Sequence, residues 1–272
     1  MSKKKTLIIT IVTVVLLIAG IVAFFLLKPS NNTNTPDTTI PEETTQTEEI
    51  INKDEVNVET DNIEEYGEIQ FIYGPTSSKE NIINGNPADG DIVIMNGYQY
   101  TYNTIFVDQY TTMKSDIGGW SVYSIDKNRK VAEDIRETVF GIAVKSMNYC
   151  YKGCENLETV KEIPATIETA NGAFESCAKL TTCSALPNGL TDARNMFAYC
   201  TNLKTAPQLP ETLKTIDMMF YFCRALTGHV NIPTGIETFS KVFERTQEEI
   251  TVSGDENIIE IITREFWNVS KK

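Results

Sequence analysis

The sequence has little of what catalysis and metal binding require. It holds one histidine, His229, in 272 residues, and a cysteine nucleophile needs a base within reach. Its six cysteines form no C-x-x-C pair, so a zinc site of the usual spacing is not expected. No glycine-rich phosphate loop is present, and beyond the first five residues no basic patch suggests nucleic acid. These absences argue against an enzyme, a cofactor, a metal site and a nucleic-acid partner.

Negative charge is concentrated in one segment. The net charge is −13, and most of the excess lies in residues 28–65, a stretch rich in Thr, Asn, Pro and Glu. Such a composition buries too little apolar surface to offset chain entropy, which predicts disorder. Like charges also extend a chain. We therefore expect residues 28–65 to be an acidic stalk whose charge says little about the partners of the folded part.

A single long apolar run precedes the stalk. Residues 6–27 carry no charge and are long enough to cross the roughly 30 Å hydrocarbon core of a bilayer as a helix. Lysines at 3–5 precede the run, which predicts residues 1–5 in the cytoplasm and the C-terminal part at the cell exterior. The alternative is a cleaved signal peptide, although the run is longer than usual and lacks a clear A-x-A site. We expect a single-pass signal anchor.

A strict period of 23 residues organises the second half of the chain. The heptad FESCAKL starts at Phe174, and its pattern recurs every 23 residues. This predicts a solenoid in which the apolar residues of each coil stack on those of the next. The aromatic-to-leucine spacing predicts a helical or 3₁₀ turn, and the prolines should end a short extended run. The columns are Tyr151, Phe174, Phe197, Phe220 and Phe243; Cys154, Cys177, Cys200 and Cys223; Leu157, Leu180, Leu203 and Leu226; and Pro164, Pro187, Pro210 and Pro233.

The pattern F-x-x-C-x-x-L-x5-[IL]-P-x-x-[IL] resembles the BspA-like leucine-rich repeats of bacterial surface proteins, over residues 139–252. The resemblance implies an α/β repeat solenoid, a right-handed stack of coils with a short strand on one face and a helical turn on the other. Members of this family are commonly cell-surface binding proteins or adhesins. The resemblance thus implies a binding function without catalysis.

The two ends of the stack should be capped. Residues 66–138 look β-rich, and Asn96-Gly97 between two apolar runs predicts a hairpin with Val93 and Met95 opposite two tyrosines. This face should pack on the first coil, or alternatively form an aromatic binding face; residues 127–138 should be a short helix or connector. At the other end, residues 253–272 should form a capping helix with Asp255 or Asn257 as N-cap. Its core-facing residues would be Ile258, Ile259, Ile262, Phe266 and Trp267.

The cysteines and the histidine fit structural roles. The cysteine ladder would place thiols on adjacent coils at about 4.8 Å, close enough for disulfides, but buried reduced thiols fit a small core column better. His229 shares the column of Val160, Cys183 and Ala206, so we expect it in the core. Asp89 and Asp91 resemble a calcium loop only faintly, and a turn is favoured.

One surface remains as a candidate for binding. Aromatic residues collect beside the cysteine column of the later coils, and Tyr, Phe and Arg are typical of recognition hot spots. We therefore expect a patch that contacts a protein or glycan partner, and alternatively an ordinary solvated ridge. A structural or self-assembling envelope spacer is the competing function. The patch residues are Tyr199, Tyr221, Phe222 and Arg224.

Overall fold

A computed structural model of the chain describes residues 56–107 and 114–272. The predicted cytoplasmic end, the anchor at 6–27 and the stalk up to residue 55 lie outside these ranges. No helix within them is both long and apolar enough to cross a membrane. The described residues lie within one compact unit, and a continuous hydrophobic core runs from Tyr66 to Val269. The β-rich segment and the repeats therefore share one core.

The N-terminal part is a sheet of seven strands in the order β1-β2-β3-β4-β5-β8-β7. Its pairs are antiparallel except β5 and β8. A short helix, α1, covers Lys79–Ile83 between β2 and β3. The strands are β1 Asn57–Ile63, β2 Gly67–Tyr73, β3 Ile92–Met95, β4 Tyr98–Val107, β5 Lys114–Ser124, β7 Thr138–Val139 and β8 Ile142–Ser146.

The predicted hairpin joins β3 and β4. Asn96 and Gly97 both have positive φ, 52° and 78°, as a type I′ turn requires. Val93 pairs with Tyr100 and Met95 with Tyr98, the predicted register. Both tyrosines are buried, and the Tyr98 hydroxyl lies 2.7 Å from that of Tyr151 in the first coil. This face is therefore a cap on the stack, and the alternative of an aromatic binding face is wrong.

Two segments of this region differ from expectation. Strand β1 forms within the segment that was predicted to be a disordered stalk. Its side chains are mostly exposed, so it is held by backbone pairing with β2 along its whole length. Lys79 also lies 3.3 Å from carboxylate oxygens of Glu59 and Asp61. Residues 127–138 contain no helix. Instead β6, Val131–Ala132, pairs in parallel with β9, Thr159–Val160, and so supplies an early coil.

The repeats form the predicted stack of parallel coils. Strand β9 also pairs with β10, Thr182–Cys183. A second small parallel sheet contains β11 Gly228–Ile232, β12 Ile250–Gly254 and β13 Val269–Lys271. On another side of the coils, single parallel bridges repeat at the 23-residue spacing. They join Ser146, Thr169, Asp192, Thr215 and Thr238 in turn.

The corner between the aromatic and leucine columns is a run of tight turns. The N–H of Cys150 donates within its coil to Met147 O at 3.0 Å, whereas the N–H of Tyr151 donates to Ala173 O of the next coil at 2.8 Å. The i→i+3 bonds of the predicted 3₁₀ turn are present. No helix forms in this corner, because alternate N–H groups bind the neighbouring coil and residues with positive φ interrupt the turn.

The centre of the core is a column of stacked rings. Neighbouring rings from Tyr151 to Phe243 lie 5.4–5.8 Å apart with planes within 13° of parallel. At each end the column meets a ring edge-on, Tyr98 at 6.2 Å and Phe266 at 6.4 Å. Both caps therefore end the aromatic column with a T-shaped contact, a favoured geometry for aromatic pairs.

The C-terminal cap contains helix α2, Glu256–Glu265. Asp255 is its N-cap, and its carboxylate accepts hydrogen bonds from the N–H groups of Asn257 and Ile258 at 3.0 and 3.2 Å. The three predicted isoleucines are buried. Trp267 differs from expectation, since its side chain is 86% exposed. Phe266 fills the end of the core, and the next residue along an extended backbone points outward.

Candidate functional site

The cysteine ladder is built as a set of hydrogen-bond donors. All six cysteines are free thiols. The thiols of Cys177, Cys200 and Cys223 donate to the carbonyl oxygen of the aromatic residue one coil earlier, at 3.0–3.2 Å. Burial raises the pKa of these thiols above its ordinary value, so they stay protonated near neutral pH and are poor nucleophiles.

Thiol titration tests this arrangement. We expect six thiols per chain to react with a chromogenic disulfide reagent at pH 8 in denaturant. In the native protein the reaction should be slow, because burial keeps the thiols protonated and shielded; the half-buried Cys183 should react first. Two or fewer thiols in denaturant would contradict the free-thiol ladder.

His229 lies outside the core, contrary to expectation. It is exposed on β11, and its ring nitrogens lie 3.1 Å from Thr251 Oγ1 and 2.9 Å from Ser253 Oγ. Gly228, with φ 93°, begins this strand, and Val230 takes the core position instead. A shift of one residue turns every side chain of a strand to the other face. The 23-residue spacing of the sequence does not reveal such a shift.

The aspartates of the faint calcium motif build a turn. Asp91 is buried, and its carboxylate accepts hydrogen bonds from Ala88 N at 2.8 Å and Ser77 Oγ at 2.5 Å. Asp89 accepts one from Thr104 N at 2.6 Å. Within residues 56–107 and 114–272, no three His, Cys, Asp or Glu side chains are placed to hold a metal ion.

The structure brings the four predicted contact residues together as an aromatic patch: Tyr199, Tyr221, Phe222 and Arg224. The Tyr199 ring lies 5.3 Å from that of Tyr221 and 5.5 Å from that of Phe222. The Arg224 guanidinium lies over the Phe222 ring at 4.2 Å. Tyr199 is 42% exposed. Desolvation raises the pKa of its hydroxyl, and Tyr221 and Glu175 add to this shift, so it remains a neutral hydrogen-bond donor.

Two of the patch residues have a left-handed backbone. Their column, one per coil, has φ between 61° and 72° throughout. This conformation costs a non-glycine residue roughly 1–2 kcal/mol, and the first coil has glycine there. Bulky side chains in such positions are unusual and cluster at functional sites. The column is Gly153, Ser176, Tyr199, Phe222 and Arg245.

A polar cleft of about 430 Å³ lies on the coils that also carry the patch, and the sequence reasoning missed it. Lys152 and Glu175 form an ion pair across it at 2.9 Å. Arg194 binds the Asp192 carboxylate, with Nη2 to Oδ2 at 2.6 Å. The sequence does contain a signal for this cleft, a set of polar residues spaced by 23 positions, such as Asn171, Arg194 and Asp217. The lining residues are Tyr149, Lys152, Asn171, Glu175, Arg194, Asn195 and Asp217.

Comparison with known families agrees with this geometry. The model of the BspA type leucine rich repeat region matches residues 135–271 in six copies, which is half of the chain. The chain belongs to this family. The predicted family and the predicted solenoid are thus confirmed, with less helix than expected. Leucine-rich-repeat proteins are typically protein-binding modules and generally not enzymes.

Two solved structures are similar to this chain. The crystal structure of the T. pallidum leucine rich repeat protein (TpLRR) is 20% identical with a TM-score of 0.45, over 57% of this chain and 68% of that one. A leucine-rich repeat protein from Bacteroides ovatus ATCC 8483 is 20% identical with a TM-score of 0.42, over 59% of this chain and 40% of that one. A search of curated proteins found no match.

Proposed function

We propose that this BspA-type repeat protein is a non-catalytic binding module at the cell exterior. The predicted anchor at residues 6–27 would hold it on the membrane, and the acidic segment after the anchor would raise the folded part above the surface. The partner would be a protein or a glycan outside the cell, held by the aromatic patch. Binding of this kind needs a rigid presented surface and no reacting group.

The observation that carries this proposal is the backbone beneath the patch. Tyr199 and Phe222 keep large side chains where φ is about 61–62°, although Gly153 shows that glycine serves the same position of the coil. The left-handed backbone recurs in every coil, so this conformation does not require a ring at these two positions. Aromatic rings exposed beside an arginine are the groups that most often dominate binding energy.

Substitution by glycine separates binding from folding. Phe222→Gly and Tyr199→Gly should leave the fold intact, because glycine relieves the left-handed strain. The same changes should weaken binding about tenfold or more, as expected when a hot-spot ring is removed. The measurement is binding of residues 51–272 to an array of extracellular-matrix proteins and glycans, with circular dichroism to check the fold.

Ser176→Gly is the matched control for these variants, because it changes the same backbone position, one coil before Tyr199 and two before Phe222, and removes no ring. It should bind as the parent does. If Phe222→Gly and Ser176→Gly bind an array ligand equally, the patch is not the contact surface. If the parent binds nothing and self-associates in light scattering, the competing function of an envelope spacer takes its place.

A further inference from the structure

A further exposed aromatic side chain, Trp267, lies on the C-terminal cap. Trp267 follows Tyr221 by 46 residues, two repeat lengths, with Glu244 midway. In the structure Trp267 lines a groove of about 440 Å³ together with Glu244 and Arg245. These two residues directly follow Tyr221 and Phe222 in their columns. We define the aromatic ridge as Tyr199, Tyr221, Phe222 and Trp267.

The ridge is unsuited to adding a peptide strand. Peptides that extend a sheet need unpaired backbone groups. Here the N–H of Tyr199 donates to Tyr221 O at 2.8 Å, and the N–H of Phe222 donates to Glu244 O at 2.9 Å. The backbone N–H groups of Tyr199 and Phe222 are thus hydrogen-bonded to neighbouring coils. A partner would therefore contact the side chains of the ridge.

The ridge and its surroundings also carry paired charge. Glu244 has Lys241 and Arg245 within 3.8 Å, and in the polar cleft Lys152 is paired with Glu175. Arg224 lies against the Phe222 ring. Such pairs present hydrogen-bonding groups without a strong field of one sign, so they favour an uncharged partner with many hydroxyl groups over an anionic one.

The spacing of the rings fits an extended sugar chain. Successive coils lie about 4.8 Å apart, as neighbouring strands do, and an extended β-linked chain of pyranose sugars presents one ring over a similar length. Each pyranose has apolar C–H faces, which stack on aromatic rings, and a rim of hydroxyls. The three patch rings are tilted by 34–73° to one another, which fits a single chain and not a flat crystal face.

From these features, and resting on the proposed function, we infer that the aromatic ridge binds a single uncharged β-1,4-linked glycan chain. The sugar faces stack along Tyr199, Tyr221 and Phe222 and reach Trp267. Polar groups of the cleft on the same coils, such as Asn195 and Asp217, receive the hydroxyls.

Tryptophan fluorescence tests this inference with soluble cello- and chito-oligosaccharides, from disaccharide to hexasaccharide, on residues 51–272. The chain has two tryptophans. Trp120 is fully buried with Nε1 bonded to Val139 O, so acrylamide quenching reports on the exposed Trp267. We expect a hexasaccharide of at least one series to protect Trp267, a disaccharide not to, and affinity to rise with chain length.

Variants assign the contacts. Trp267→Ala should weaken hexasaccharide binding severalfold and leave the disaccharide unchanged, and Phe222→Gly should weaken both about tenfold. Tyr123→Ala, a half-exposed ring on the N-terminal sheet, should have no effect. Calorimetry supplies these affinities, including that of Trp267→Ala, which lacks the fluorescent reporter.

The outcomes distinguish this inference from the proposed function. Absence of binding to both series at millimolar concentration overturns the glycan assignment. If an array protein then binds through Phe222, the proposed function stands without it; if nothing binds the patch, both fall. Binding to the insoluble crystalline polymer alone would contradict a single-chain site, and unchanged hexasaccharide affinity in Trp267→Ala would remove Trp267 from it.

Discussion

Gly254→Ala should be the most damaging single substitution in the described part of the chain, with a loss above about 4 kcal/mol in the free energy of unfolding. Gly254 has φ 118°, and an added Cβ would lie 1.9 Å from the carbonyl oxygen of Ile232. A backbone oxygen cannot move aside by rotating, and this one lies in the pairing of β11 with β12. The cap that follows, from Asp255 onward, should separate from the stack.

Urea unfolding measures this loss, and hydrogen exchange locates it. Protection should fall first in residues 250–271. Gly90→Ala is the matched control, because Gly90 also has a positive φ, 89°, but an added Cβ meets nothing within 4 Å. It should cost only the roughly 1–2 kcal/mol of left-handed strain. A Gly254→Ala value within about 1 kcal/mol of this control would contradict the clash.

Phe197→Ala should lower the free energy of unfolding by about 3–5 kcal/mol, as expected for a buried ring that leaves a cavity. Phe197 is fully buried at the middle of the ring column and stacks at 5.5 Å on Phe174 and 5.8 Å on Phe220. Since each coil of a solenoid contacts only its neighbours, a break at the centre weakens coupling between the two halves.

Denaturant unfolding again gives the measurement, with the slope against urea as a second readout. A lower slope would show that the two halves no longer unfold together. Phe222→Ala is the matched control: it removes the same side chain from an outward position one coil later, and should cost under about 1 kcal/mol. Equal losses for the two variants would show that the ring column has no special role in stability.

The repeat was predictable because its signal is long and strict. Each coil must offer the next an apolar residue at the same place, so the stack requires the 23-residue columns to be in the sequence. The Asn96-Gly97 hairpin was equally accessible, since a type I′ turn demands residues that accept positive φ. The choice of Asp255 or Asn257 as N-cap rested on similarly local chemistry, and the structure has Asp255.

The register of individual strands and the exposure of individual side chains could not be predicted in this way. His229 left its column because one strand shifted by a residue, and only pairing with β12 sets that shift. The edge strand β1 has a composition typical of disorder and is ordered by its partner strand. Trp267 had a visible signal, its distance of two repeats from Tyr221, but the apolar pattern of helix α2 favoured the core.

By itself, the sequence determined the repeat length, the aromatic, cysteine and leucine columns of the core, the turn chemistry and the family, because these depend on spacing and on the conformations that single residues allow. The tertiary structure decided which side of each coil faces solvent. It placed the rings of Tyr199, Tyr221 and Phe222 together, two of them over left-handed backbone, and it left Trp267 exposed on the C-terminal cap. That outcome depends on contacts between coils, since neighbouring positions in one strand can exchange faces without any change in composition.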